Sequence, residues 1–171
     1  MAVDDLRGQD VIDRLVGIAP GSSLAALRAR RPEVVRYAQS SYVALLEPED
    51  LGGVSRRERE MVALRVTVLT PSTEVAASHR ARLRQVGAEV EANRAVETFP
   101  NGAALSPRES AILRHTDLLT LDPRAATPDH IAQLKAAGLT PRDIITIAQL
   151  ISFMTCQVRV VAALRALSED A

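Results

Sequence analysis

The feature that most constrains this chain is the placement of its prolines. All nine fall at a break in the apolar pattern or in the first turn of a helix-periodic segment. Proline lacks the N–H that a helix interior needs, but it fits the first turn, where that donor has no intrahelical partner. Pro20, Pro48, Pro71, Pro100 and Pro123 therefore mark stops, and Pro32, Pro107, Pro128 and Pro141 mark starts. Between them, apolar residues recur at helical spacing. The pattern predicts helices over residues 10–18, 24–30, 32–46, 55–69, 72–87, 89–98, 106–121, 127–137 and 140–167.

The chain ends of these segments carry their own signals. Ser22 or Ser23 can cap the second helix. Ser55 with Glu58, and Ser106 with Glu109, read as S-x-x-E capping boxes, in which hydroxyl and carboxylate each satisfy a backbone donor at the helix start. Ser72 can cap the helix after Thr70-Pro71, Gly52-Gly53 sits in a polar loop, Pro100-Asn101-Gly102 is a loop, and Gly138 marks a C-terminal stop. The run Val54-Ser55-Arg56-Arg57-Glu58 echoes Leu105-Ser106-Pro107-Arg108-Glu109, which suggests a duplicated helical unit. The β-branched run Val66-Thr67-Val68 is short and lies within a helical pattern. The last helix, with Ile144, Ile147, Ala148, Ile151, Met154 and Val158 along one stripe, is expected to be the central buried helix. The fold class is all-α, in one domain over residues 1–171.

Composition narrows the function. Aromatic residues are 2% and Trp is absent, so the core must be aliphatic and base-stacking recognition of single strands is disfavoured. Acidic and basic residues number 21 each, for a net charge of zero. That balance offers no field for nucleic acid or an anionic membrane. The single cysteine excludes an intrachain disulfide. No uninterrupted apolar run reaches the roughly 18 residues of a spanning helix, and residues 1–10 contain no signal-peptide apolar core. The expected setting is the cytoplasm.

Chemistry concentrates in residues 60–79, where an apolar helix begins with Glu60, a Thr-Pro-Ser turn follows, and His79 lies on the apolar face of the next helix with Ser72, Val75, Leu83 and Val86. The two side chains suit a proton relay. The bland alternatives are a solvated Glu60 beside Arg56 or Arg57 and a core His79 with one satisfied hydrogen bond. Ser72 most simply caps its helix; as a candidate catalytic residue it would make a Glu–Ser–His hydrolase, a weak alternative because there is no G-x-S-x-G elbow and no evident oxyanion loop. Cys156 is the only thiol and reads as a small buried hydrophobe in the last helix. His115 and His130, on separate helices, lack ligand-spaced partners, so no metal site or cofactor is expected. Arg28-Ala29-Arg30-Arg31 and Arg80-Ala81-Arg82-Leu83-Arg84 read as solvated helix faces or interface ion pairs.

Glu60, the run Val62-Ala63-Leu64-Arg65-Val66, His79 and the final helix around Ile151–Leu164 resemble the carboxymuconolactone decarboxylase and alkylhydroperoxidase D-like superfamily, over most of residues 32–167. The resemblance implies an alkylhydroperoxidase D-like helical bundle, with residues 55–87 as its core hairpin and 141–167 as its closing helix. It also implies a homo-oligomer and an antioxidant, peroxiredoxin-like ancestry. The family pattern places a C-x-x-C before the histidine, and the corresponding positions here are Ser72 and Val75. Serine and valine cannot form the sulfenic acid and disulfide of a thiol peroxidase. Three functions follow as expectations. The first is a non-thiol member that binds or transforms a small organic ligand near Glu60 and His79. The second is a one-cysteine hydroperoxide reductase using Cys156, with Arg159 one turn on. The third is a non-catalytic interaction subunit.

Overall fold

The structure is a computed structural model that describes residues 10–87, 90–101 and 105–169. Expectations placed on residues 1–9, Glu89 and Gly102 lie outside them. Among the described residues there are nine α-helices, one short 3₁₀ turn (Pro123–Ala125) and no strand: α1 (Val11–Val16), α2 (Ser23–Ala29), α3 (Pro32–Leu46), α4 (Arg56–Leu69), α5 (Thr73–Gln85), α6 (Val90–Thr98), α7 (Pro107–Leu121), α8 (Pro128–Ala136) and α9 (Pro141–Glu169). The proline pattern and the caps locate these helices closely. Pro32, Pro107, Pro128 and Pro141 each occupy the first helical position.

The central helix is α4 rather than α9. Residues 58–67 of α4 are all buried, and the helix packs against α5, α7 and α9, with α6 and α3 at its flanks. The long α9 forms an outer wall. By length and composition it could cross a membrane, but Ile147, Leu150, Ile151, Met154 and Val161 are buried in the bundle core while Ile145 and Leu167 face outward. The apolar stripe of α9 misleads about rank because α4 is buried together with charges, Glu58, Arg59, Glu60 and Arg65 among them. Glu58, Glu60 and Arg65 each have a charged partner, and Arg59 donates to the carbonyls of Leu45, Leu51 and Val54, so none of these charges is buried unsatisfied.

Both S-x-x-E boxes form. Ser55 Oγ accepts from the Glu58 N–H at 3.2 Å and Glu58 accepts from the Ser55 N–H at 2.8 Å. Ser106 and Glu109 do the same at 3.1 and 2.8 Å. The two starts are then cross-linked: Arg57 donates to Glu109 at 2.9 Å, and Arg108 to Glu58 at 2.6 Å. Arg108 also reaches the carbonyls of Gly53 and Gly138. Gly53 in turn donates its N–H to Asp143 at 3.1 Å, and a Cβ on Gly53 would stand 2.5 Å from that carboxylate. Further along the same helix pair, Arg65 makes a two-pronged contact with Asp117 at 2.6 and 2.8 Å. These links fix α4 against α7 and so fix the face from which α4 presents Glu60 to α5.

Candidate functional site: a buried Glu–His–Arg network

Glu60 and His79 meet. His79 Nδ1 and Glu60 Oε2 are 2.7 Å apart, and the two residues are only 2% and 1% exposed. The solvated reading of Glu60 is therefore set aside, and Arg56 and Arg57 are not its partners. The other carboxylate oxygen, Oε1, accepts from Arg82 Nε at 2.7 Å. Arg82 extends the network outward to Glu47 at 2.8 Å and lies over the Tyr42 ring, 5.5 Å from its centroid. Tyr42 and Glu47 arrive from α3 and its C-terminal cap, so a third element closes the site over the α4–α5 hairpin.

Burial alone would push the Glu60 carboxyl up. The hydrogen bond and charge of His79, and then the Arg82 guanidinium, outweigh it and hold the group below the ordinary carboxylate value of 4.5. Glu60 is thus an anion that can only accept, so the proton between it and His79 is carried on Nδ1. The carboxylate fixes the orientation of the imidazole, and Nε2 becomes the nitrogen through which the ring can exchange a proton with another group. Burial is also the main reason that the Tyr42 phenol is pushed up to about 12; it stays neutral beside the network.

The sequence marks Arg82 only as part of a solvated face or of interface ion pairs with Arg80 and Arg84, and not as a member of the site. A signal was present, since Arg82 lies three residues after His79 and shares its helix face. Arg28, expected on a solvated face or in an interface ion pair, pairs within the chain with Asp10 at 2.9 Å and with Asp13.

The other expected site residues stand apart from this network. Ser72 is at the N-cap position of α5, but its side chain makes no capping hydrogen bond, so the expected cap is not formed. Val75 is fully buried in the aliphatic core. Cys156 is exposed and not a small core hydrophobe: its neighbours in sequence, Gln157 and Val158, turn inward instead. Among the described residues, no group of three or more His, Cys, Asp or Glu side chains is arranged to hold a metal ion.

The fold has counterparts in known proteins. A peroxidase-related protein from Silicibacter sp. TM1040 superposes with a TM-score of 0.73 at 24% identity, covering 82% of this chain and 72% of that one. The alkylhydroperoxidase AhpD core of a peroxidase-related protein from Ralstonia eutropha JMP134 gives 0.73 at 23% identity, with 80% and 71% covered. A protein of unknown function from Agrobacterium tumefaciens, described as a putative antioxidant defence protein AhpD, gives 0.72 at 16% identity, with 81% and 92% covered. No curated protein matches the chain. The sequence pattern of one family matches residues 32–117, a stretch that runs from α3 through most of α7 and contains both Glu60 and His79. With half of its length matched, the chain belongs to the carboxymuconolactone decarboxylase family.

Proposed function

We propose that this protein is an acid–base member of its family and not a thiol peroxidase. Its reaction would be proton transfer to or from carbon in a small unsaturated carboxylic acid or lactone. The observation that carries this reading is the 2.7 Å contact between His79 Nδ1 and an ionised, Arg82-bound Glu60. That arrangement leaves Nε2 as the working nitrogen. The two positions that would carry a redox dithiol hold Ser72 and Val75, and a decarboxylation needs neither thiol. In such a step the C–C bond to the carboxylate breaks, CO₂ leaves, and the electron pair passes into the adjoining unsaturated carbonyl system. A proton delivered through His79 Nε2 then completes the product, and His79 is reprotonated from solvent. The family name itself points to this chemistry. The cytoplasmic setting and a homo-oligomeric state belong to the same proposal, the first resting on the single cysteine and the second on the family.

A second reading draws on a different observation. Glu60 and His79 are almost wholly buried, and both Glu60 oxygens are already engaged, as in a purely structural clasp. One pair of assays separates the readings. Carboxymuconolactone is incubated with the protein in D₂O, and CO₂ release and deuterium uptake are followed by NMR. Cumene hydroperoxide consumption with excess dithiothreitol is followed in parallel. The acid–base reading expects deuterated product from wild type, a fall of roughly 10²–10⁴-fold in His79→Gln, and no peroxide turnover above the reductant blank. Silence in both assays would favour the clasp. Peroxide turnover that disappears in Cys156→Ser would overturn both and revive the one-cysteine reductase.

A further inference from the structure

The units α4–α6 and α7–α9 repeat one another in register. Each opens on the same capping box with an arginine between its partners: Ser55, Arg57 and Glu58 in the first, Ser106, Arg108 and Glu109 in the second. Each second helix carries a histidine, His79 or His130. Each ends on a left-handed glycine, Gly87 at φ 81° or Gly138 at φ 84°. The residue before each glycine returns its N–H to an equivalent carbonyl, that of Arg82 or Gln133. All these pairs stand at one constant separation along the chain. In the same register, Glu60 corresponds to Ala111 and Arg82 to Gln133.

The first unit fills its centre with the Glu60 carboxylate. The second has a methyl group at that position, and a cavity of about 280 Å³ lies between α7 and α8. Ala111, Arg114, His115, His130 and Gln133 line it, with Leu118 and Leu134 as its apolar wall. His115 is 5% exposed, and its Nδ1 is buried without a hydrogen-bond partner. The Thr127 N–H donates to His130 Nδ1 at 3.1 Å, so Nδ1 is the acceptor and Nε2 is the ring's donor. Arg114 has no ion pair among the described residues. The cavity therefore offers a guanidinium, an imidazole N–H and an amide NH₂, and no acidic side chain.

We propose that this α7–α8 cavity, left open where the first unit carries Glu60, binds a small carboxylate-bearing ligand. Donor groups around an apolar wall suit one negative charge on a compact apolar body. A metal ion is the poorer fit. His130 would have to give up the Nε2 proton that its Thr127 contact enforces, and no anionic ligand is at hand. Burial, and then the neighbouring His130, hold the His115 imidazole below its ordinary range; a neutral ring there keeps one lone pair and one N–H for a bound ligand. The inference is independent of the chemistry assigned to Glu60 and His79.

The test is a titration of the full chain with benzoate, and separately with the neutral isostere benzamide, followed by histidine ring and arginine Nε NMR signals. The expected result is saturable binding of benzoate with Kd in roughly the millimolar range or tighter, with shifts at His115, His130 and Arg114. Benzamide and the variant Arg114→Ala should each bind about tenfold more weakly or worse. Ala111→Glu, which supplies a carboxylate from within, should abolish benzoate binding; if that variant does not fold, Arg114→Ala and Gln133→Ala carry the test. Shifts that grow linearly without saturation, or benzoate binding unchanged in Arg114→Ala, would overturn the proposal.

Discussion

The α4–α5 and α7–α8 hairpins share capping boxes, a histidine and a terminal glycine, yet their centres differ in kind. One holds a buried ion network of Glu60, His79 and Arg82. The other holds a cavity beside Ala111 and His130. The shared features are those that set helix starts, stops and mutual angle. The features that differ are the few side chains pointing into the space so created. A helical scaffold of this type is thus specified by its ends, and what it can bind or transform is specified by one or two interior positions.

The comparison breaks most severely if the filled centre is emptied. Glu60→Ala would leave His79 and Arg82 facing a buried hole without their anion. The expected loss is about 3–5 kcal/mol in denaturant unfolding, the usual cost of removing one partner from a buried pair. The reciprocal change to the second hairpin, His130→Ala, should cost far less, because its centre is already open. A loss in His130→Ala as large as that in Glu60→Ala would show the two centres to be energetically alike.

The cross-links at the helix starts allow a finer cut. Arg108 serves Glu58 and two carbonyls, those of Gly53 and Gly138, while Arg57 serves Glu109 alone. Arg108→Ala should therefore destabilise by about 1.5–3 kcal/mol, since several hydrogen bonds to a charged donor are lost. Arg57→Ala should cost less, about 0.5–1.5 kcal/mol, since a single part-buried contact is lost. Equal losses would mean that the two starts are equivalent in energy as well as in sequence. Gly53→Ala falls in a similar range, about 1–3 kcal/mol, because its new Cβ would press on an Asp143 carboxylate held by the Thr140 N–H and hydroxyl.

Acid titration probes the filled centre without a change of its packing. The folded-state value of Glu60 lies below its ordinary 4.5, so above pH 4.5 its ionisation favours the folded protein. As pH falls through and below that value, the unfolded chain takes up the proton first and the contribution is lost. Wild type should lose stability more steeply than Glu60→Gln below about pH 4.5, by about 1.4 kcal/mol for each pH unit separating the folded and unfolded values. Parallel slopes would mean that the carboxylate is not held ionised by its partners.

Much of this was legible in the sequence, for local reasons. Prolines and S-x-x-E boxes act within a few residues, so helix starts and stops could be read directly. Glu60 and His79 could be brought together because one short turn joins their helices. What could not be read depends on elements far apart in the chain. Arg82 turns inward, unlike Arg80 or Arg84, because Tyr42 and Glu47 arrive from α3 to receive it. His115 and His130 share a cavity only because α7 and α8 fold back on one another. The exposure of Cys156 follows from which face of α9 meets α4, and a stripe of nearly continuous apolar residues does not reveal that. The central position of α4 was hidden by its charges, which a hydrophobicity pattern counts as surface.

The most direct test is the ¹⁵N NMR spectrum of the His79 ring in the intact protein near neutral pH. The expected result is a protonated Nδ1 whose proton is strongly deshielded by Glu60, and a loss of that deshielding in Glu60→Gln. An unprotonated Nδ1, with the ring proton on Nε2 and no change in Glu60→Gln, would contradict the ionised Glu60–His79 relay on which the acid–base reading rests.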